Sequence, residues 1–92
     1  MSDGDLYDIV IAQAEAVKRG ALSMWTVYEK PTDYPNGYVA RRFEAAAGVT
    51  AATAMTLKSR ELEPIREKLS RAGLVRLDRN PDDEPQIVET WL

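Results

Sequence analysis

Cysteine and histidine are both missing from this 92-residue chain, and the two absences remove more chemistry than any motif supplies. Without them there is no disulfide, no thiolate nucleophile, no Cys/His zinc site, no histidine general base and no haem held through histidine. The side chain that most often senses pH near neutrality is gone as well. A glycine-rich phosphate loop is absent, and Ser23, Ser59 and Ser70 have no histidine to activate them. No apolar run approaches the roughly 20 residues a membrane helix needs. The opening MSDGDLYD is acidic where a secretory leader is basic and then apolar. Together these absences predict a soluble protein of the reducing cytoplasm, with no membrane contact, no cofactor, no metal and no catalytic residue.

What is present is ordinary for a small globular domain: 45% apolar residues, 29% charged residues and a net charge of −3. A chain this short forms one domain over 1–92 and has little room for a deep internal site. The acidic balance opposes whole-molecule attraction to nucleic acid or anionic lipid. The cations Arg41, Arg42, Lys58, Arg60, Arg66, Lys68, Arg71, Arg76 and Arg79 gather in the middle and late chain. The acids are weighted toward the first fifteen residues and 78–89. A dipolar surface follows.

In chain order, residues 1–4 read as frayed, and Asp3 or Asp5 as the cap of a helix over 5–19 with Lys18 and Arg19 in its last turn. Leu6, Ile9, Val10, Gln13, Ala16 and Val17 recur at helical spacing, a stripe that Gln13 interrupts. That helix covers a sheet face or docks on a partner. Residues 22–92 read as an α+β core. LSMWTVYE (22–29) has strand composition, with Trp25 and Val27 on one side and Met24, Thr26 and Tyr28 on the other. KPTDYPNG (30–37) is a stiff turn; Pro31 and Pro35 fix the backbone, and Asn36 and Gly37 tolerate positive φ. YVARRFEA (38–45) returns as a strand and sends one arginine to each face. One of the two is then exposed, while the other snorkels or pairs with an acid.

The motif Trp25-Thr26-Val27-Tyr28, Pro31, Asp33-Tyr34-Pro35, then Val39-Ala40-Arg41-Arg42 resembles a small family of uncharacterised bacterial proteins. Its members share Trp-Thr-Ile/Val-Tyr-x-x-Pro-x-Asp-aromatic-Pro followed by Val-x-Arg-Arg. The tail is similar too, from Leu74-Val75-Arg76-Leu77 through Asn80-Pro81-Asp82-Asp83-Glu84-Pro85-Gln86-Ile87-Val88-Glu89-Thr90-Trp91-Leu92. The resemblance spans about 24–92. It implies kinship and brings no activity with it.

Beyond the hairpin, AAAGVTAATAMT (45–56) reads as a loop or bend at Gly48 with a short edge strand over 53–56, or as a helix through 44–48 from alanine propensity. A second helix is expected over 59–72, capped by Ser59 or Thr56, with Leu62, Ile65 and Leu69 as its stripe and Pro64 in its first turn. Strands follow at 74–78 and 86–91. In the last, alternation groups Ile87, Glu89 and Trp91. The fold class is α+β: a small, mostly antiparallel sheet of four to five strands with one or two helices on a face.

Three functions compete for these residues. Asp33, Tyr34, Tyr38, Arg41 and Arg42 suit a non-enzymatic protein-interaction module or small homo-oligomer, because Tyr and Arg anchor interfaces and a stiff loop loses little entropy on binding. Arg41 and Arg42 beside Trp25, Tyr28, Tyr34 and Tyr38 also fit single-stranded nucleic acid. A small-molecule binder or minor enzyme built on a carboxylate such as Asp33 is the third. The structural alternative makes the aromatics core and pairs the arginines with Glu29 or Glu44. The acidic turn of Asp78, Asp82, Asp83 and Glu84 lacks calcium-loop spacing and reads as solvated.

Overall fold

The computed structural model describes residues 3–92, with side chains from Leu6 onward. Of the fraying expected over 1–4, residues 1–2 lie outside what is described, as does a cap by the side chain of Asp3 or Asp5. Residues 3 and 4 are already helical, so the first helix starts and ends earlier than 5–19. The order is α1 (Asp3–Lys18), β1 (Leu22–Glu29), β2 (Tyr38–Ala46), β3 (Val49–Ser59), α2 (Leu62–Arg71), β4 (Arg76–Asp78) and β5 (Ile87–Trp91). The strands form one antiparallel sheet in the order β3-β2-β1-β5-β4. This is the α+β class read from the sequence, with five strands and two helices. Among the described residues, no helix is long and apolar enough to cross a membrane.

Both helices lie on one face. Ile9 of α1, Ile65 and Leu69 of α2, and Leu74 form a single buried cluster with Trp25, Val27, Ala40, Leu57 and Trp91. The strand members of that cluster share a side because register sets Trp25 opposite Arg42 and Trp91, Val27 opposite Ala40, and Ala40 opposite Leu57. Burying Trp25, Ile9, Ile65, Leu69 and Val27 almost completely contributes roughly 1.5–3 kcal/mol for each side chain. The indole N–H of Trp25 is buried without a partner, a cost the packing outweighs.

Three local expectations are corrected. The bend at Gly48 and an edge strand over 53–56 are both present and the alternative helix through 44–48 is not, but the strand is far longer than expected: β3 is the longest strand, at eleven residues. Alanine has weak strand propensity, so pairing with β2 and not composition extends it. The joint is a two-residue turn in which Ala47 (φ 52) and Gly48 (φ 79) both take positive φ. Primed hairpin turns require that geometry, and the usual Asn-Gly signal is missing here. The second helix is shorter than 59–72. Glu61 is its N-cap without a side-chain hydrogen bond, whereas the Ser59 hydroxyl accepts from the Glu61 N–H in the lead-in. Finally, a bulge places Ile87 opposite Tyr28. Ile87 therefore leaves the side of Glu89 and Trp91, and Val88 packs on the core instead.

Candidate interaction surface

The 24–44 hairpin parts its candidate residues onto two sides of the sheet. Arg42 points toward the helices and is 5% exposed. Its Nε donates to the Ser23 hydroxyl at 2.8 Å, and its terminal nitrogen reaches the Ala12 carbonyl at 3.3 Å and Glu44 Oε1 at 3.0 Å. Ser23 in turn donates to Gln13 Oε1, which explains why a polar residue interrupts the α1 stripe. Arg19 closes the network on Glu44. Hydrogen bonds from Arg19 and then Arg42 lower the Glu44 pKa to about 2, and the same contact raises that of Arg19. Arg42 is thus a buried strut between α1 and the sheet, and its charge is not available to a partner.

Tyr38 goes the same way, half-buried against the core cluster. Tyr34 folds back over the turn. A Cβ at Gly37 would stand 2.5 Å from both the Tyr34 ring and the Ser59 carbonyl oxygen, so close approach requires glycine there. Positive φ in this loop falls at Lys30 (φ 48), not at Asn36 or Gly37. The Lys58 ammonium lies 5.9 Å from the Tyr34 ring centroid, within cation–π range.

Asp33 and Arg41 do come together. They face each other at 3.9 Å, the long limit of an ion pair, with Asp33 59% and Arg41 35% exposed. Both line a cleft of about 260 Å³ with Tyr28, Pro31, Thr32, Val39 and Gln86. The proline-stiffened loop forms one wall. Gln86 arrives from the chain before β5, held by a 2.7 Å hydrogen bond from the Glu29 N–H to its carbonyl. Burial raises the Tyr28 pKa, Glu84 adds to the effect and Arg41 opposes it. The phenol is therefore a neutral donor at neutral pH.

The cleft opens onto the side of the sheet that no helix covers. Cross-strand register arranges that side in rows: Lys58, Val39, Tyr28 and Ile87; then Thr56, Arg41, Thr26, Thr90 and Leu77; then Phe43 and Met24. Most of these are half-exposed, and Leu77 is 45% exposed. Phe43 and Gln86 were not among the sequence candidates, and Tyr28 entered only the nucleic-acid reading. Alternation alone places Tyr28 on this side, but Gln86 needs the β1–β5 pairing, which no local signal announces. In the 79–85 turn, Asp83 accepts from the Asn80 N–H and Asn80 from the Asp82 N–H, so those polar groups serve their own loop. No protein-family model, curated protein or solved structure matches this chain.

Proposed function

We propose that the protein is a non-enzymatic interaction module of the cytoplasm, or a small homo-oligomer. It binds a protein segment across the open sheet face and seats one side chain of that segment between Arg41, Asp33 and Tyr28. The observation that supports this most is the size and lining of the cleft. At about 260 Å³ it is smaller than the ~300–1,000 Å³ of most small-molecule sites, yet it suits a single anchoring side chain. Among the described residues the ion pair of Arg41 is a long one, so engaging a partner costs little. The surrounding Met24, Tyr28, Phe43, Ile87 and Leu77 supply the apolar area that interface cores use. Kinship with the bacterial family whose motif runs through 25–42 belongs to the same proposal, since Tyr28, Pro31, Asp33 and Arg41 of that motif line the cleft.

A second reading rests on a specific feature. Tyr28, Phe43, Arg41 and Lys58 share one open antiparallel face, an arrangement on which unpaired bases stack. The net charge of −3 places it second. The test is capture of partners from native cytosol by wild type and by Arg41→Ala, washed at low and high salt. A protein retained at high salt by wild type and lost by the variant supports the module. Nucleic acid released at high salt moves the second reading to first. Equal capture by both proteins sinks the surface.

A further inference from the structure

Arg41 and Asp33 line one cleft as opposite charges that have not closed on each other. Their nearest nitrogen and oxygen are 3.9 Å apart, beyond hydrogen-bond distance. A pair so stretched and exposed adds little to stability, yet both members are held in place. Arg41 stands on β2 between Thr26 and Thr56. Asp33 stands on a loop closed by hydrogen bonds from the Lys30 N–H to the Gly37 carbonyl and from the Tyr34 N–H to the Pro31 carbonyl. The rest of the lining carries no formal charge. Pro31, Val39 and the Tyr28 ring are apolar surface, and the Tyr28 and Thr32 hydroxyls and the Gln86 amide add neutral donors and acceptors. The charges next to the cleft balance as well, with Lys58 across from Val39 and Glu84 felt at Tyr28.

Such a lining selects against simple ions. An anion gains at Arg41 and is repelled by Asp33, and a cation meets the reverse. A molecule carrying both charges on neighbouring atoms gains at both, because its dipole lies antiparallel to that of the Arg41–Asp33 pair and every close contact joins opposite signs. We propose that the cleft is a binding site for a free α-amino acid with an apolar side chain. Arg41 takes the carboxylate, with the Tyr28 phenol as a second donor. Asp33 takes the ammonium, and the side chain lies against Pro31 and Val39. The cleft of about 260 Å³ falls below the ~300–1,000 Å³ of sites for larger ligands, and it has room for a molecule of this size. This goes beyond the interaction module. The two readings share the cleft and differ in the ligand, since no residue inside a peptide chain offers an ammonium and a carboxylate on one carbon.

Titration of the isotopically labelled full chain with free L-amino acids, followed by amide NMR, tests this without any protein partner. The apolar members, with L-leucine as the reference probe, are expected to give saturable shifts at Tyr28, Asp33, Arg41 and Gln86. N-acetyl-L-leucine lacks the cation and L-leucinamide lacks the anion, so each is expected to bind more weakly by about tenfold or more. The near-isosteric Asp33→Asn should erase the difference between leucine and N-acetyl-leucine, and Arg41→Ala that between leucine and leucinamide. Both variants are expected to melt like wild type without ligand. No saturable shift at those amides from any apolar amino acid overturns the proposal. So do capped derivatives that bind wild type as tightly as leucine, or variants that leave both differences intact. Any of these failures leaves the capture of a protein by the bare face standing, because that reading is tested by the salt-washed pull-down.

Discussion

Arg41 and Arg42 are neighbours in the chain and opposites in the molecule. Arg42 enters the side of the sheet that the helices cover and meets Ser23, Glu44 and the Ala12 carbonyl. Arg41 enters the bare side and meets little more than the edge of Asp33. A desolvated guanidinium must have every donor accounted for, so Arg42 became part of a fixed network. On the bare side water fills any gap, so Arg41 can stay under-engaged. The same contrast holds for the aromatics. Trp25 and Trp91 fill the core, whereas Tyr28 and Phe43 remain half-exposed. The helix side carries most of the buried core, and the bare side is the one proposed to bind.

The largest expected break in that contrast comes from the end of β5. Trp91 is 5% exposed, its indole N–H donates to Glu89 at 2.8 Å, and the Leu92 backbone pairs with Val75 in both directions. Removing residues 91–92 deletes a tryptophan whose truncation alone costs about 3–5 kcal/mol. A domain of this size has about 5–10 kcal/mol in total. The truncated chain is expected to be largely unfolded by circular dichroism, and an unchanged melting curve would contradict the assignment.

Next comes Glu89, 2% exposed and buried beneath α2. It accepts from Arg66 Nε at 3.1 Å and from a terminal Arg66 nitrogen at 2.7 Å, as well as from Trp91. That contact raises the Arg66 pKa. Glu89→Ala strands the indole N–H but lets the partly exposed Arg66 turn to solvent, so a loss of about 2–4 kcal/mol is expected in denaturant unfolding. A loss under 1 kcal/mol would show that α2 is held by its apolar stripe alone.

The paired arginines then sharpen the comparison directly. Arg42→Ala leaves the Ser23 and Glu44 groups short of a donor and is expected to cost about 2–3 kcal/mol, with faster amide exchange in α1. Arg41→Ala is expected to stay within about 0.5 kcal/mol of wild type and to act on binding alone. Equal destabilisation by the two would erase the distinction between the faces.

The smallest effect is set by pH. Folding lowers the Glu44 pKa from 4.5 to about 2 through Arg19 and then Arg42. The folded state thus binds this proton less tightly than the unfolded chain, and the stabilisation is fully present above pH 4.5. It is lost as pH falls toward 2. Glu44→Gln is expected to flatten the fall in melting temperature over that interval, and an unaltered slope would place the acid sensitivity elsewhere.

Much of this could be read in advance. Alternation in LSMWTVYE separated Trp25 and Val27 from Met24, Thr26 and Tyr28, because one pleated strand has only two sides. Helical spacing found Ile65 and Leu69, and the doubled arginine announced one on each face. The candidate surface was less legible. Of Asp33, Tyr34, Tyr38, Arg41 and Arg42, only Asp33 and Arg41 line the cleft, because the plane of the sheet sends Tyr38 and Arg42 to the helix side and Tyr34 folds over the turn at Gly37.

By itself, then, the sequence determined the α+β class, the limits of β1 and the chemistry that missing cysteine and histidine exclude, since periodicity and composition act locally. Tertiary structure decided which side the helices would cover and hence which arginine would be buried. It extended alanine-rich β3 through pairing with β2, and it brought Gln86 to Tyr28 by placing β5 beside β1. These outcomes depend on contacts between distant segments, where the free energy of burying a shared face outweighs the weak preferences of single residues.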